Sequence, residues 1–394
     1  MKKLVVAALF AAGVAALTTA AFGSSKSPSR AASAASVSSG AVKCGSTRYI
    51  GFMAPITGPA ASLGQTQVDW AKYYVRLYNK GHKKSKIKLV PEDTELGGPN
   101  GTAAAVQGAQ ALGSNAKVLG VVGPAGSNEV KATTGALKGA GLGFVSGSAT
   151  NAAIATDGTR TGYFFRTVPT DDDQSKSASA YIVNKLKLKR VYIIDDQEAY
   201  SIGLADSVES QLKAKGLTVG RDGVSQQLSD FTSVINKIPQ NTQLVYIPWQ
   251  LPPKGQAFGQ QMKGLGRGSV KLMGGDGLFD PAFSGVGSNV YDTFFPVNTK
   301  DKRIAGFKKL HKGQTEFFGA PTFEAVHVVS AAIDRACKDG KATRAEVRAQ
   351  IKKTNIPVKT SLIGLPINFA KTGNLKKHPF GVYHSSKGVF VRVG

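Results

Sequence analysis

From Arg48 onward the chain repeats one pattern: a short apolar run, then a longer stretch in which apolar residues return every three or four positions. Tyr49-Ile50-Gly51-Phe52-Met53, Ile87-Lys88-Leu89-Val90, Val118-Leu119-Gly120-Val121-Val122 and Leu142 to Val145 have the length of buried strands. Between them, Leu63 to Asn79, Thr102 to Leu112 and Asn128 to Lys138 read as helices. In the first, Val68, Ala71, Tyr74, Val75 and Tyr78 fall on one face. Neighbouring strands that are joined through a helix run parallel, so this rhythm predicts an α/β fold, a mostly parallel sheet with helices on both faces.

The rhythm restarts after Asp171. Ser175 to Leu186, Ala199 to Lys215, Phe231 to Ile238 and Gln256 to Leu265 read as helices. Val191-Tyr192-Ile193-Ile194, Leu217-Thr218-Val219, Leu244-Val245-Tyr246-Ile247 and Leu272-Met273 read as strands. The chain therefore holds two units of similar grammar, without a repeat at the residue level. Three helical stretches follow Pro296 (Ile304 to Lys312, Phe323 to Cys337, Arg344 to Lys353), and the chain closes with strands Gly381 to His384 and Val389 to Val391.

A length of 394 residues allows about two or three domains. Hydrophobic residues at 42% suffice for a core, and charged residues at 19% exclude a disordered or coiled-coil chain. The start, Met1-Lys2-Lys3 and then an apolar stretch from Leu4 to Leu17, reads as an export signal over residues 1–23, cleaved before Ser24 or kept as an anchor. No cysteine follows the apolar core directly, so there is no lipid-attachment site. Residues 24–43, rich in Ser and Ala, read as a disordered linker. The expected location is outside the cytoplasm, periplasmic or at the cell surface. There, Cys44 and Cys337 either form a disulfide or stay as two buried thiols. Beyond the signal no apolar run reaches about 20 residues, which excludes a multi-spanning membrane protein.

The formal net charge is +25. The lysines fall in short clusters (Lys83-Lys84 with Lys86, Lys308-Lys309, Lys352-Lys353, Lys376-Lys377) without interleaved aromatics. They read as solvated surface and not as a nucleic-acid groove; a secreted polyanion-binding protein is the alternative that this charge keeps open.

Enzyme chemistry finds no support. His82, His311, His327, His378 and His384 show no metal-ligand spacing, and no G-x-S-x-G elbow occurs. Ser210-Gln211-Leu212-Lys213 sits mid-helix without partner motifs. Gly58 to Thr66 has Gln65 where a phosphate loop needs Lys. No cofactor is expected.

Binding chemistry gathers at strand ends. Gly126-Ser127 follows one strand and opens a helix, whose free N–H groups suit an anion. Gly147-Ser148-Ala149-Thr150-Asn151 follows the next strand. Adjacent strand ends form the crevice in which open α/β sheets bind ligands. In the second unit Tyr200 starts a helix, Trp249-Gln250 follows a strand, and Asp276 stands in Gly274-Gly275-Asp276-Gly277, where a carboxylate can meet an ammonium.

In their order along the chain these segments resemble the leucine/isoleucine/valine-binding protein family of type I periplasmic receptors of ABC importers. The matching stretches are Gly51 to Pro59, Val122-Gly123-Pro124, Gly147 to Asn151, Tyr163 to Thr167, Gly274 to Gly277 and Phe380 to Tyr383. The resemblance implies two lobes, residues 44–166 with 297–364 and residues 171–292 with 369–394. Three crossovers are expected near Arg166–Asp171, Asp292–Pro296 and Gly364–Phe369. It implies that Ser127, Ser148 and Thr150, with Gly126 and Ala149 beside them, take a ligand carboxylate, that Asp276 takes its ammonium, and that Tyr200 joins from the second lobe. Leu63 stands where the family often has an aromatic, Trp249-Gln250 replaces a Gly/Tyr-rich segment, and Asp276 is one carbon shorter than the family's frequent Glu. The implied function is a monomeric solute-binding protein that captures a small amino acid for a membrane permease. An amide-type ligand or a membrane-sensor partner is the alternative.

Overall fold

The computed structural model describes residues 40–45, 47–311, 318–376 and 379–394. The expected export signal, most of the Ser/Ala-rich segment and His378 lie outside these residues.

In the first lobe, strand Thr47–Ala54 lies between Lys86–Asp93 and Val118–Val122. Strands Phe144–Ser146 and Phe164–Arg166 complete a five-stranded sheet, parallel throughout. Val118–Val122 is buried at every position, as a strand covered on both faces must be. A β-bulge in its pairing with Thr47–Ala54 divides it at a spacing of three. Leu119 and Val122 join Ile50, Trp70, Phe323 and Val326 beneath helices Ala61–Gly81 and Gly319–Ala336. Val118 and Val121 join Ala109, Leu112, Val130 and Leu137 beneath helices Ala103–Ser114 and Ser127–Gly139.

The second lobe repeats the plan. Strand Arg190–Asp195 lies between Thr218–Gly223 and Leu244–Ile247, followed by Lys271–Gly274 and Val290–Phe294, all parallel. The C-terminal hairpin, Gly381–Ser386 and Val389–Arg392, adds two antiparallel strands. Ile193 and Tyr246 pack against Leu204, Val208 and Leu212 of helix Ala199–Ala214. Ile194 and Ile247 pack against Phe231, Phe258 and Met262 on the other face.

Among the described residues the lobes are joined at three places: after Phe164–Arg166, after Val290–Phe294, and before Gly381. Each crossover gives an apolar residue to one shared cluster: Val168 from the first, Phe295 from the second and Phe380 from the third, with Phe318. Phe295 meets Phe380 edge-on at 6.0 Å.

Two expected boundaries move. The third crossover lies later than Gly364–Phe369. Phe369 and Leu375 belong to the first lobe's core and pair as a β-bridge, and the Phe369 ring packs 5.1 Å from Phe165. The linker is also shorter than residues 24–43, because Val42–Lys43 is a strand paired antiparallel with Lys341–Ala342. Next to it Cys44 and Cys337 form a disulfide across 293 residues of sequence. Strand and disulfide together tie the start of the fold to the first lobe's last helices.

Candidate ligand-binding site

The carboxyl ends of the central strands of both sheets face one cleft, as the switch in strand order on either side of Thr47–Ala54 and of Arg190–Asp195 requires. Leu63, Leu96, Ala125, Gly126, Ser127, Ser148 and Thr150 from one lobe, Tyr200, Gln250, Asp276 and Gly277 from the other, and Phe318 of the crossover cluster line a cavity of about 30 Å³. The cleft is closed. Asn128 Nδ2 donates to Glu198 Oε2 at 2.8 Å, Asn151 Nδ2 to the Ala199 carbonyl at 2.6 Å, and Gln227 Nε2 to the Gly97 carbonyl at 3.1 Å, each from one lobe to the other.

The first-lobe wall is built largely from backbone at the ends of two strands. Strand Val118–Val122 ends and helix Ser127–Gly139 begins five positions later, so the helix starts at the cleft, where Gly126 and Ser127 line the cavity. Glu129 takes the Gly126 N–H at 2.8 Å. Complete burial raises the Glu129 carboxyl to about 7. The neighbouring loop is shaped by Ser146, whose Oγ accepts from the Ser148 and Ala149 N–H groups. It is also held by buried Arg166, whose Nη1 donates to the Ala149 and Asn151 carbonyls at 2.9 and 3.0 Å. Ser148 Oγ donates to the Ala125 carbonyl and accepts from Gln67 Nε2. Its hydroxyl is thus committed to the wall, while Ser127 and Thr150 line the cavity, Ser127 Oγ accepting the Asn151 N–H at 3.3 Å and the Thr150 side chain hydrogen-bonding toward the Asp171 carboxyl.

The second-lobe wall is acidic. Tyr200 OH donates to Asp276 Oδ1 at 2.7 Å and accepts from the Gly277 N–H at 3.3 Å. Burial raises the Asp276 carboxyl to about 7, against the lowering effect of the Tyr200 and Gln174 hydrogen bonds. Asp171 is buried behind Thr150, whose carbonyl accepts its N–H at 3.0 Å. Its carboxyl is raised well above the ordinary range by burial and then by the charge of Asp276. The arrangement opposes hydrogen-bond donors on one lobe to a carboxylate on the other, 149 positions apart in sequence from Ser127 to Asp276.

Eight of the ten residues expected at the site line the cavity: Leu63, Gly126, Ser127, Ser148, Thr150, Tyr200, Gln250 and Asp276. Trp249 does not. Its Nε1 donates to the Ile194 carbonyl at 2.7 Å and its ring lies 5.3 Å from Phe231 and 5.2 Å from Phe258, in the second lobe's core. After a strand the side chains alternate, so Gln250 faces the cleft and Trp249 faces away. Ala149 also stands off the cavity and acts through its carbonyl on Arg166. Sequence reasoning missed Leu96, Phe318 and Asp171. Leu96 follows the end of strand Lys86–Asp93, so the strand-end rule that found Ser127 reaches it too. Phe318 and Asp171 carry no local signal.

A family model described as periplasmic binding protein matches residues 47–388. The Leu/Ile/Val-binding protein BraC3 of Rhizobium johnstonii is 29% identical over 359 residues, covering 87% of this chain and 92% of that protein. The chain belongs to the periplasmic binding protein family. The leucine-, isoleucine-, valine-, threonine-, and alanine-binding protein of Pseudomonas aeruginosa is 25% identical over 353 residues, covering 86% of this chain and 90% of that one. Among solved structures, the substrate binding protein LivJ of Streptococcus pneumoniae in complex with isoleucine superposes with a TM-score of 0.75 at 22% identity, over 88% of this chain and 100% of that one. A solute binding protein of R. palustris in complex with benzoate gives 0.76 at 18% identity, over 88% and 96%. As a periplasmic binding protein the chain is a solute receptor and not an enzyme. No helix among its described residues is long and apolar enough to cross a membrane.

Proposed function

We propose that the cleft captures an α-amino acid with a small branched aliphatic side chain and delivers it, outside the cytoplasm and as a monomer, to the membrane permease of an ABC importer. One observation carries this reading: the helix N-terminus with Ser127 and Thr150 stands opposite the Tyr200–Asp276 pair across a single cavity. A zwitterion needs both halves. Its carboxylate suits N–H and hydroxyl donors, and its ammonium needs a carboxylate because burying it unpaired is costly. Leu63, Leu96 and Phe318 offer apolar surface to the side chain. The Leu/Ile/Val-binding names of the sequence relatives agree with that choice.

The second reading is a carboxylate without an ammonium, favoured by the benzoate complex of the R. palustris neighbour. Asp276→Asn separates the two. A thermal-shift screen over amino acids, amides and aromatic carboxylates selects the ligand, and calorimetry compares parent and variant. An amino acid loses at least tenfold in affinity, about 1.4 kcal/mol, while a simple carboxylate or amide changes little. An amino acid bound equally well by both proteins overturns the first reading.

A further inference from the structure

Between Trp70 and Pro91 the chain carries seven cations and no Asp or Glu, and the fold gathers them on one edge of the first lobe. Lys72, Arg76 and Lys80 stand four residues apart on helix Ala61–Gly81 and so form one row along it. Lys83 and Lys84 lie in the turn that follows. Lys86 and Lys88 belong to the outermost strand of the sheet. Lys72, Arg76, Lys86 and Lys88 open onto one groove of about 740 Å³ whose walls include Val75 and Leu89. All seven are exposed. Among the described residues none has an ion pair or a side-chain hydrogen bond, whereas Arg48 is held by Asp334 and Arg221 by Asp195. Unpaired like charges repel one another, so a gathered set of this size is relieved by an anionic partner.

The groove runs along a strand edge, yet that edge is interrupted as a template for a further strand. Asn79 takes the Ile87 N–H at 2.8 Å and gives its own to the Ile87 carbonyl at 3.0 Å, and Pro91 has no N–H to offer. An added peptide strand would find the Ile87 groups occupied and no donor at Pro91. The partner is therefore met by side chains. Half-buried Val75 and Leu89 and exposed Leu77 lie among the cations. A purely hydrophilic polyanion leaves this apolar surface in water, whereas the interfacial zone of a bilayer covers it.

We propose that this face of the first lobe docks on the anionic surface of a phospholipid bilayer. It stands apart from the ligand cleft, so the inference does not depend on the ligand's identity. Each cation near such a surface contributes about fivefold to binding, and the attraction falls off within about 8 Å at physiological salt.

The test is vesicle flotation with the full chain, on phosphatidylglycerol–phosphatidylcholine vesicles and on pure phosphatidylcholine, which reports any purely apolar attachment. The patch variant is K72Q/R76Q/K86Q/K88Q. The control, K338Q/K353Q/K359Q/K371Q, makes the same change in net charge at exposed lysines elsewhere. Thermal midpoints and ligand affinity confirm that both are folded. The patch variant should lose more than a hundredfold of its affinity for the anionic vesicles, from about fivefold per cation, and the control should keep it within about fivefold. Equal losses would reduce the effect to net charge and overturn the proposal. So would parent protein that ignores the anionic vesicles, or that binds soluble polyphosphate through the patch while leaving the vesicles untouched.

Discussion

Asp276 concentrates the chemistry of the cleft in one carboxyl group. Burial lifts its pKa to about 7, so below neutral pH the ligand-free protein holds it protonated. On the proposed amino-acid reading the ligand's ammonium needs it ionised, and binding then expels a proton. Amino-acid affinity should rise with pH toward about 7, by up to tenfold per unit, and level off above. Titration calorimetry in two buffers of different ionisation enthalpy would reveal the released proton at pH 6; no buffer dependence would remove Asp276 from the ammonium site. The same shift bears on folding with the opposite sign. The unfolded chain ionises this group near the ordinary value of 3.8. Between there and about 7 the folded protein binds the extra proton, so its stability falls with rising pH by up to about 1.4 kcal/mol per unit. A bound ammonium offsets that loss. Trp249 shows how one position in sequence separates site from core: Gln250 lines the cavity, while its neighbour fills the second lobe beside Phe231 and Phe258.

Among the elements, helix Ala199–Ala214 meets the opposite lobe most closely. Its first carbonyl, Ala199, accepts from Asn151, and Tyr200 beside it reaches Asp276. At Gly203 the approach leaves no space for a side chain, since an added Cβ would lie 2.4 Å from Asn151 Nδ2. Within the second lobe alone the same position is tolerant, because the obstacle belongs to the other lobe. Gly203→Ala should therefore penalise the closed form by about 1–3 kcal/mol, the usual cost of overpacking. It should weaken ligand binding while the ligand-free thermal midpoint stays near the parent's. Calorimetry and thermal melts of Gly203→Ala beside Ile202→Ala, a change at an exposed neighbour, would show it; equal ligand affinities for the two would contradict the wedge.

Over the whole molecule, two lobes are joined by three connections that share one aromatic cluster. The hydrogen bonds between lobes are few, so the difference between open and closed forms rests on what the cleft holds. The long-range disulfide acts elsewhere. Cys44–Cys337 spans 293 residues and lies within the first lobe, so it restrains the unfolded chain without bridging the cleft. Cys44→Ala/Cys337→Ala should cost about 2–5 kcal/mol and leave ligand affinity unchanged. Urea unfolding and calorimetry would check both halves. A loss of affinity without a loss of stability would mean that the bond shapes the cleft.

Local physics accounts for what could be read from the chain itself. Short continuous apolar runs such as Val118–Val122 and helical faces such as Val68, Ala71 and Tyr78 point to a parallel sheet covered by helices. Glycines and hydroxyls at strand ends then mark the cleft, and so Ser127, Thr150, Tyr200 and Asp276 were legible as part of its lining. Tertiary structure decided what distance along the chain hides. It turned Trp249 into the core and spent the Ser148 hydroxyl on Gln67 and Ala125. It carried the third crossover past Leu375 because Phe369 finds Phe165, and it placed Asp171 and Phe318 at the cleft without any local mark. It also set a helix row of cations beside an edge strand, making one basic face of lysines that look scattered in sequence. Periodicity depends on a residue's neighbours in the chain, whereas a site depends on which ends the packing brings together, and that is fixed only when both lobes have folded.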